Sequence, residues 1–148
     1  MGKEAIITIN CERYSEKIVD IINLFVQSEW KYYGDDKKTE YLPLGADDDF
    51  GWQKDFLLEE ELQEIIQKKQ DKHEFVGLTM YHENSNVGVT ILAKNTKEMV
   101  INLDINRKTV EDNREAITDI GWYFSNIVQR FKEKACFCDY VKFEEYID

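Results

Sequence analysis

Between Asp47 and Glu64 the chain places eight carboxylates and one ammonium, Lys54, in eighteen residues. The acids are Asp47, Asp48, Asp49, Asp55, Glu59, Glu60, Glu61 and Glu64, a local charge of −7 in a protein whose net charge is −11. A surface of this density repels nucleic acid and anionic membranes and attracts basic proteins. Carboxylates can also bind divalent cations. A calcium-binding EF-hand loop requires glycine at its sixth position and glutamate at its twelfth. Counted from Asp47, those positions hold Trp52 and Leu58, so the EF-hand pattern fails. A looser Mg²⁺ or Ca²⁺ site on the Asp47–Asp49 triplet stays open at this level. So does the plain alternative of a solvated acidic face that keeps the protein in solution.

Cys136 and Cys138 form a Cys-x-Cys pair, which on a strand would point to one face. With Cys11, His73 and His82 the chain has enough ligand types for zinc. The spacing is not that of a zinc knuckle, and cysteines of this kind are commonly small core hydrophobes; the sequence therefore reads as having no metal and no cofactor. An odd number of cysteines makes no disulfide framework, and a reducing cytoplasm is the expected compartment. No Gly-x-Ser-x-Gly, Walker, Gly-x-Gly-x-x-Gly or His-Glu-x-x-His pattern is present, so a non-enzymatic role is expected. Arg130, Lys132 and Lys134 are the nearest approach to a basic stripe. Glu133 interrupts them, and they read as the cationic end of a helix.

These groups must be positioned by one domain, the expectation for 148 residues with 43% hydrophobic and 13% aromatic content. Ala5 to Cys11 reads as a β-branched strand. Ser15 offers an N-cap to a helix over about 15–31, with Ile18, Ile21, Ile22 and Phe25 in one stripe. The stretch 32–55 is irregular, with a short strand expected near 50–56 and Trp52 read as a core residue or an exposed anchor. A second helix over about 57–71 turns Leu58, Leu62, Ile65 and Ile66 inward and Glu60, Glu61, Glu64 and Lys68 outward.

Three period-two runs then follow: Val76-Leu78-Met80, Val87-Val89-Ile91-Ala93 and Met99-Ile101-Leu103-Ile105. Short polar turns join them, which predicts an antiparallel meander. Asp112 and Glu115 suggest the start of a third helix over about 112–134. It is lined by Ile117, Ile120, Phe124, Val128 and Phe131, and a last strand includes Val141 and Phe143. The expected fold is α+β: one mostly antiparallel sheet of about five strands with three helices on its apolar face. The first residues hold only a short apolar run with no small-residue cleavage site, and no run approaches a membrane span, so neither a leader nor a membrane protein is expected.

This order, β-α-α-β-β-β-α-β, resembles the first two-thirds of an acyl-CoA N-acetyltransferase fold. In that family the turn after the fourth strand carries an Arg/Gln-x-x-Gly-x-Gly/Ala pyrophosphate cradle. Here the turn is Asn106-Arg107-Lys108-Thr109-Val110-Glu111-Asp112, without glycine. The resemblance implies an acetyltransferase-like enzyme as one alternative, beside an enzyme using a carboxylate-held metal.

The leading expectation is a small cytoplasmic binding protein that neutralises a basic partner. An immunity protein or antitoxin against a cationic toxin, for example a nuclease, is of this kind. Its contacts are expected at Asp47, Asp48, Asp49, Trp52, Glu60, Glu61 and Glu64, where carboxylates would take the places of phosphates. A further alternative is a self-associating scaffold. The polar side of the meander, with Thr79, Tyr81, Thr90, Leu92, Val100 and Asn102, would then form a homodimer interface.

Overall fold

The computed structural model describes residues 4–48, 51–111 and 116–146. Its eight strands are β1 (Glu4–Ile9), β2 (Trp30–Lys31), β3 (Thr39–Tyr41), β4 (Gln53–Asp55), β5 (Val76–His82), β6 (Gly88–Ala93), β7 (Met99–Ile105) and β8 (Val141–Tyr146). Its helices are α1 (Ile18–Gln27), α2 (Glu59–Asp71) and α3, which runs from Ile120–Tyr123 through a π-helical segment, Phe124–Val128, to Gln129–Glu133. All strands join one sheet in the order β4-β3-β5-β6-β7-β1-β8, with β2 also paired to β5. Every pairing among these strands is antiparallel. The expected α+β architecture is present, but with eight strands rather than about five.

The alternation of β-branched residues sets the two faces of the sheet. Register places Ile7 opposite Ile101 and Phe143, Ile101 opposite Ile91, and Ile91 opposite Leu78. This row is the floor of the core. Ile18, Ile21, Ile22, Leu24 and Phe25 of α1, Leu62 and Ile66 of α2, and Tyr123, Ile127 and Phe131 of α3 cover it. The alternate residues, among them Ile6, Thr90, Leu92, Val100 and Asn102, lie on the opposite face and are only partly buried.

Where the elements depart from the sequence expectation, a local cause is visible. Helix α1 ends at Gln27, not near 31, because Glu29 turns to φ +71° and Trp30 leaves to pair with His82. Ser15 still serves the helix start: its hydroxyl accepts the Lys17 N–H (3.0 Å) and donates to Asp20 (2.6 Å). Helix α3 begins only at Ile120, where Asp119 accepts the Trp122 N–H (3.1 Å) as N-cap. Ile117 falls in the preceding loop and is 59% exposed, not inward. The proposed cap pair Asp112 and Glu115 lies outside the described residues. In the π segment the Asn126 carbonyl accepts the indole N–H of buried Trp30 (3.0 Å), and the Asn126 amide donates back to the Trp122 carbonyl (2.8 Å).

The three strands between α1 and α2 also change the order of elements to β-α-β-β-β-α-β-β-β-α-β, which removes the succession on which the acetyltransferase resemblance rested. In the turn after β7, Arg107 is spoken for. Its guanidinium donates to the Ala116 carbonyl (3.1 Å), Thr118 Oγ1 (2.7 Å) and Glu145 (3.3 Å) in a nearly buried cluster. That arginine fastens the loop to β8.

Candidate functional site

Helix α2 organises the acidic segment, and its two ends hold different acids. At the C-terminal end, His73 adopts φ +60°. Its N–H reaches the Gln70 carbonyl and the Glu74 N–H the Lys69 carbonyl, closing a Schellman turn. Beneath this turn Lys69 is 1% exposed. Its ammonium donates to the Pro43 carbonyl (2.8 Å), the Ala46 carbonyl (2.6 Å) and Glu74 (3.1 Å). The loop carrying Asp47 and Asp48 is thereby pinned to this end of the helix. Asp47 accepts the Phe75 N–H (2.5 Å) and acts as a local cap. Asp48 is exposed, and Asp49 lies outside the described residues.

Glu59, Glu60 and Glu61 occupy the opposite end, in the first turn, where the helix dipole favours negative charge. Glu61 accepts the N–H of the N-cap residue Leu58 (2.9 Å). This is the carboxylate half of a capping box, since leucine has no acceptor to complete it. Glu61 lies eight residues before Lys69, about 12 Å along the axis at 1.5 Å per residue. That exceeds the screening length of roughly 8 Å at physiological salt, so the two groups of acids act as separate surfaces. Between them, Glu64 pairs with Lys68 (2.7 Å), which draws its carboxyl below the ordinary range.

Of the residues the sequence singled out, then, Glu60 and Glu61 sit together, Glu64 has an internal counter-ion, and Asp47 and Asp48 stand at the far end of the helix. Trp52 is half-buried. Its ring, with Leu42, fills the space over Gly77, where an added Cβ would meet Trp52 Cη2 at 2.8 Å.

Two residues at this corner escaped the sequence reading. Phe56 is 69% exposed and Leu58 64% exposed, whereas Leu58 was expected inside. Leu58 precedes the first helical turn, and Leu57 packs against the core in its place. The corner therefore presents two large apolar side chains beside Glu59, Glu60 and Glu61. None of those three carboxylates is paired with a lysine or arginine among the described residues.

Neighbouring phenols register the field. Burial, then Glu59, Tyr33 and Glu60, raises the Tyr32 pKa. Tyr41 is pushed up to about 12 by burial and by donating to Asp55 (2.8 Å), with Glu61 adding to the effect. The adjoining strand β4 is the exposed edge of the sheet.

A second acidic locus was invisible to a window count because Lys37 and Lys38 sit among three of its members and the fourth, Asp104, is distant in sequence. Tyr81 lies on the face without helices. Its phenol is raised first by burial and then by Glu40, Asp36, Asp104 and Asp35. Glu40 accepts from Thr79 (3.3 Å) and Asp104 from Thr90 (2.9 Å). The adjacency of β3, β5, β6 and β7 brings Asp104 to the other three.

The acids do not converge on a cation. Among the described residues, the one group of three or more His, Cys, Asp or Glu ligand atoms close enough to share an ion is Cys11, Cys136 and Cys138, near β8 at the other edge of the sheet. His73 is exposed at the end of α2. His82 is buried against Trp30 and Trp122, with ring centroids 5.1 Å away in each case. Its Nδ1 meets Ser85 Oγ (3.0 Å), while Nε2 makes no hydrogen bond of ordinary geometry, and burial lowers its pKa. No helix among the described residues is long and apolar enough to cross a membrane. No protein-family model, curated protein or solved structure matches the chain.

Proposed function

We propose that this protein is a small acidic binding protein that captures a basic protein partner through the corner where β4 meets α2. The observation that carries this reading is the exposure of Phe56 and Leu58 beside Glu59, Glu60 and Glu61, which lack internal cationic partners among the described residues. The carboxylates steer a cationic surface, accelerating association by roughly 10- to 1,000-fold at low salt. Burying the two apolar side chains then slows dissociation, at about 1–2 kcal/mol each for the area still exposed. Asp47 and Asp48 stand beyond the screening length at the far end of α2 and Glu64 is paired with Lys68, so the contact centres on Glu59, Glu60 and Glu61. A cytoplasmic immunity protein or antitoxin, masking the phosphate-binding residues of a basic toxin or nuclease, is the biological form this chemistry fits best.

Self-association through the helix-free face is the weaker reading. A symmetric pair would set Glu40 and Asp104 of one copy near those of the other, and like charges at an interface are costly. The acetyltransferase alternative has little support, since Arg107 is engaged by Glu145, Thr118 and Ala116.

Affinity capture from native lysate at low salt, repeated with the Glu59→Lys/Glu60→Lys/Glu61→Lys variant, tests the proposal. A basic protein held by the parent, eluted by salt and lost with the variant is the expected result. Capture of no basic protein, or of the same protein equally by both forms, refutes it.

A further inference from the structure

The sheet edge farthest from the acidic corner holds a different chemistry. From β4 to β8 the sheet spans six strand spacings, about 29 Å. There, three sulfurs from segments more than 120 residues apart in sequence come within 4.8 Å of one another, with Cys11 and Cys138 Sγ atoms 3.8 Å apart. We propose that Cys11, Cys136 and Cys138 form a binding site for a thiophilic d¹⁰ metal ion, Zn²⁺ or Cu⁺, held by three thiolates. The inference is independent of the protein-binding role.

The distances suit that chemistry. At a Zn–S bond of about 2.3 Å, tetrahedral geometry sets the sulfurs about 3.8 Å apart, and trigonal geometry about 4.0 Å. The Cys11–Cys138 pair is already at that separation, and the other sulfurs, all within 4.8 Å, need to close by less than about 1 Å. Soft thiolates select Zn²⁺ and Cu⁺ over hard cations.

The backbone holds the ligands in place before any ion arrives. Cys11 leaves β1 with its N–H on the Thr96 carbonyl (2.8 Å), and its own carbonyl accepts from Tyr14 and Ser15. Cys136 is fixed by the Schellman turn that ends α3. Ala135 takes φ +66°, its N–H donates to the Lys132 carbonyl, and the Cys136 N–H donates to the Phe131 carbonyl (2.9 Å). A left-handed conformation at a residue with a Cβ costs about 1–2 kcal/mol, so this turn is maintained against its local preference. The Asp139 N–H to the Asn10 carbonyl (2.9 Å) and the Asn10 N–H to the Tyr140 carbonyl (3.2 Å) lash the Cys138 segment to the Cys11 segment.

Access is also present. Cys11 and Cys136 are buried, but Cys138 is only partly buried. An open cleft of about 320 Å³ is lined by Arg13, Tyr14, Ala135 and Phe137, residues that flank the three ligands in sequence. None of the three cysteines lines that cleft, so access to the sulfurs runs through the partly exposed Cys138.

Simple core packing of three thiols would bring the same burial without ion affinity, and oxidation would bring a disulfide. The experiment separates them. Reduced protein under anaerobic conditions is titrated with Zn²⁺ and with Cu⁺ in the presence of competing chelators, and with Co²⁺ as an optical probe. One equivalent of Zn²⁺ or Cu⁺ bound in competition, with thiolate-to-cobalt charge transfer in the Co²⁺ arm, is the expected result. Strong Zn²⁺ binding with tetrahedral cobalt bands indicates a fourth, solvent ligand. Preference for Cu⁺ indicates three-coordination. Either supports the site. Cys138→Ser, at the least buried of the three positions, should weaken binding by more than about tenfold while the circular dichroism stays unchanged. Absence of charge transfer and of competitive binding, or equal affinity in Cys138→Ser, overturns the proposal. So does a protein whose Cys11 and Cys138 are oxidised to a disulfide by added oxidised glutathione as readily with one equivalent of Zn²⁺ present as without it.

Discussion

Replacing Lys69 by methionine tests how the acidic loop is held in place. The change keeps the length and volume of the side chain but removes an ammonium whose three N–H groups have three acceptors: the Pro43 and Ala46 carbonyls and Glu74. Hydrogen bonds to a charged group contribute about 1.5–3 kcal/mol each. Most of that gross gain is offset by the cost of taking the ammonium out of water, several kcal/mol for a buried ion. What the substitution leaves behind decides the net effect. Two carbonyls lose their partner, though water can reach them through a loop whose Leu44 and Gly45 are exposed. Glu74 keeps the Gly45 N–H (2.8 Å).

The expected loss is therefore about 3 kcal/mol, at the lower end for breaking a buried ion pair. For a chain of this size that lowers Tm by about 6–12 °C. Urea denaturation measures the loss. Amide exchange then locates it, because the Phe75 N–H, held by Asp47, should lose protection together with the loop. A loss below about 1 kcal/mol with Phe75 protection unchanged would refute the claim that Lys69 organises this end of α2.

Three further outcomes follow from the same geometry. Gly77→Val should cost about 1–3 kcal/mol and shift the fluorescence of Trp52, because the new Cβ would meet Leu42 at 2.7 Å and Trp52 at 2.8 Å; an unchanged spectrum and stability would show that this close approach is not real. His82 has its pKa lowered by burial, so the native state takes up its proton less readily than the unfolded chain. Stability should consequently decline as pH falls below about 6.5 toward the folded value, and His82→Phe should flatten that part of a Tm-against-pH curve. Phe56→Ala, alone or with Leu58→Ala, should raise the dissociation rate of a captured partner while leaving Tm nearly unchanged, since both side chains are largely in solvent in the free protein; equal dissociation rates would move the interface elsewhere.

The sequence by itself determined the parts of this protein that follow from local periodicity. The runs Val76–Met80, Val87–Ala93 and Met99–Ile105 alternate with period two, and their turns are short, so the meander had no competing arrangement. The apolar stripe of α1 and the outward glutamates of α2 were legible for the same reason. Tertiary structure decided what depends on residues far apart along the chain. Strands as short as Trp30–Lys31 and Thr39–Tyr41 carry no periodic signal and exist because β5 offers an edge to pair with.

The acidic window looked like one surface when counted in sequence, but a helix of thirteen residues separates its ends by about 20 Å. Meanwhile Asp104, from a distant strand, joins Asp35, Asp36 and Glu40 around Tyr81. Leu58 matched the inward stripe of a helix that in fact begins one residue later. The three cysteines, unremarkable as Cys11 and a distant Cys-x-Cys, converge only because β8 returns antiparallel beside β1. Helical and strand periods are properties of neighbours in the chain; a site is a property of neighbours in space, which the pairing of strands and the lengths of helices alone assign.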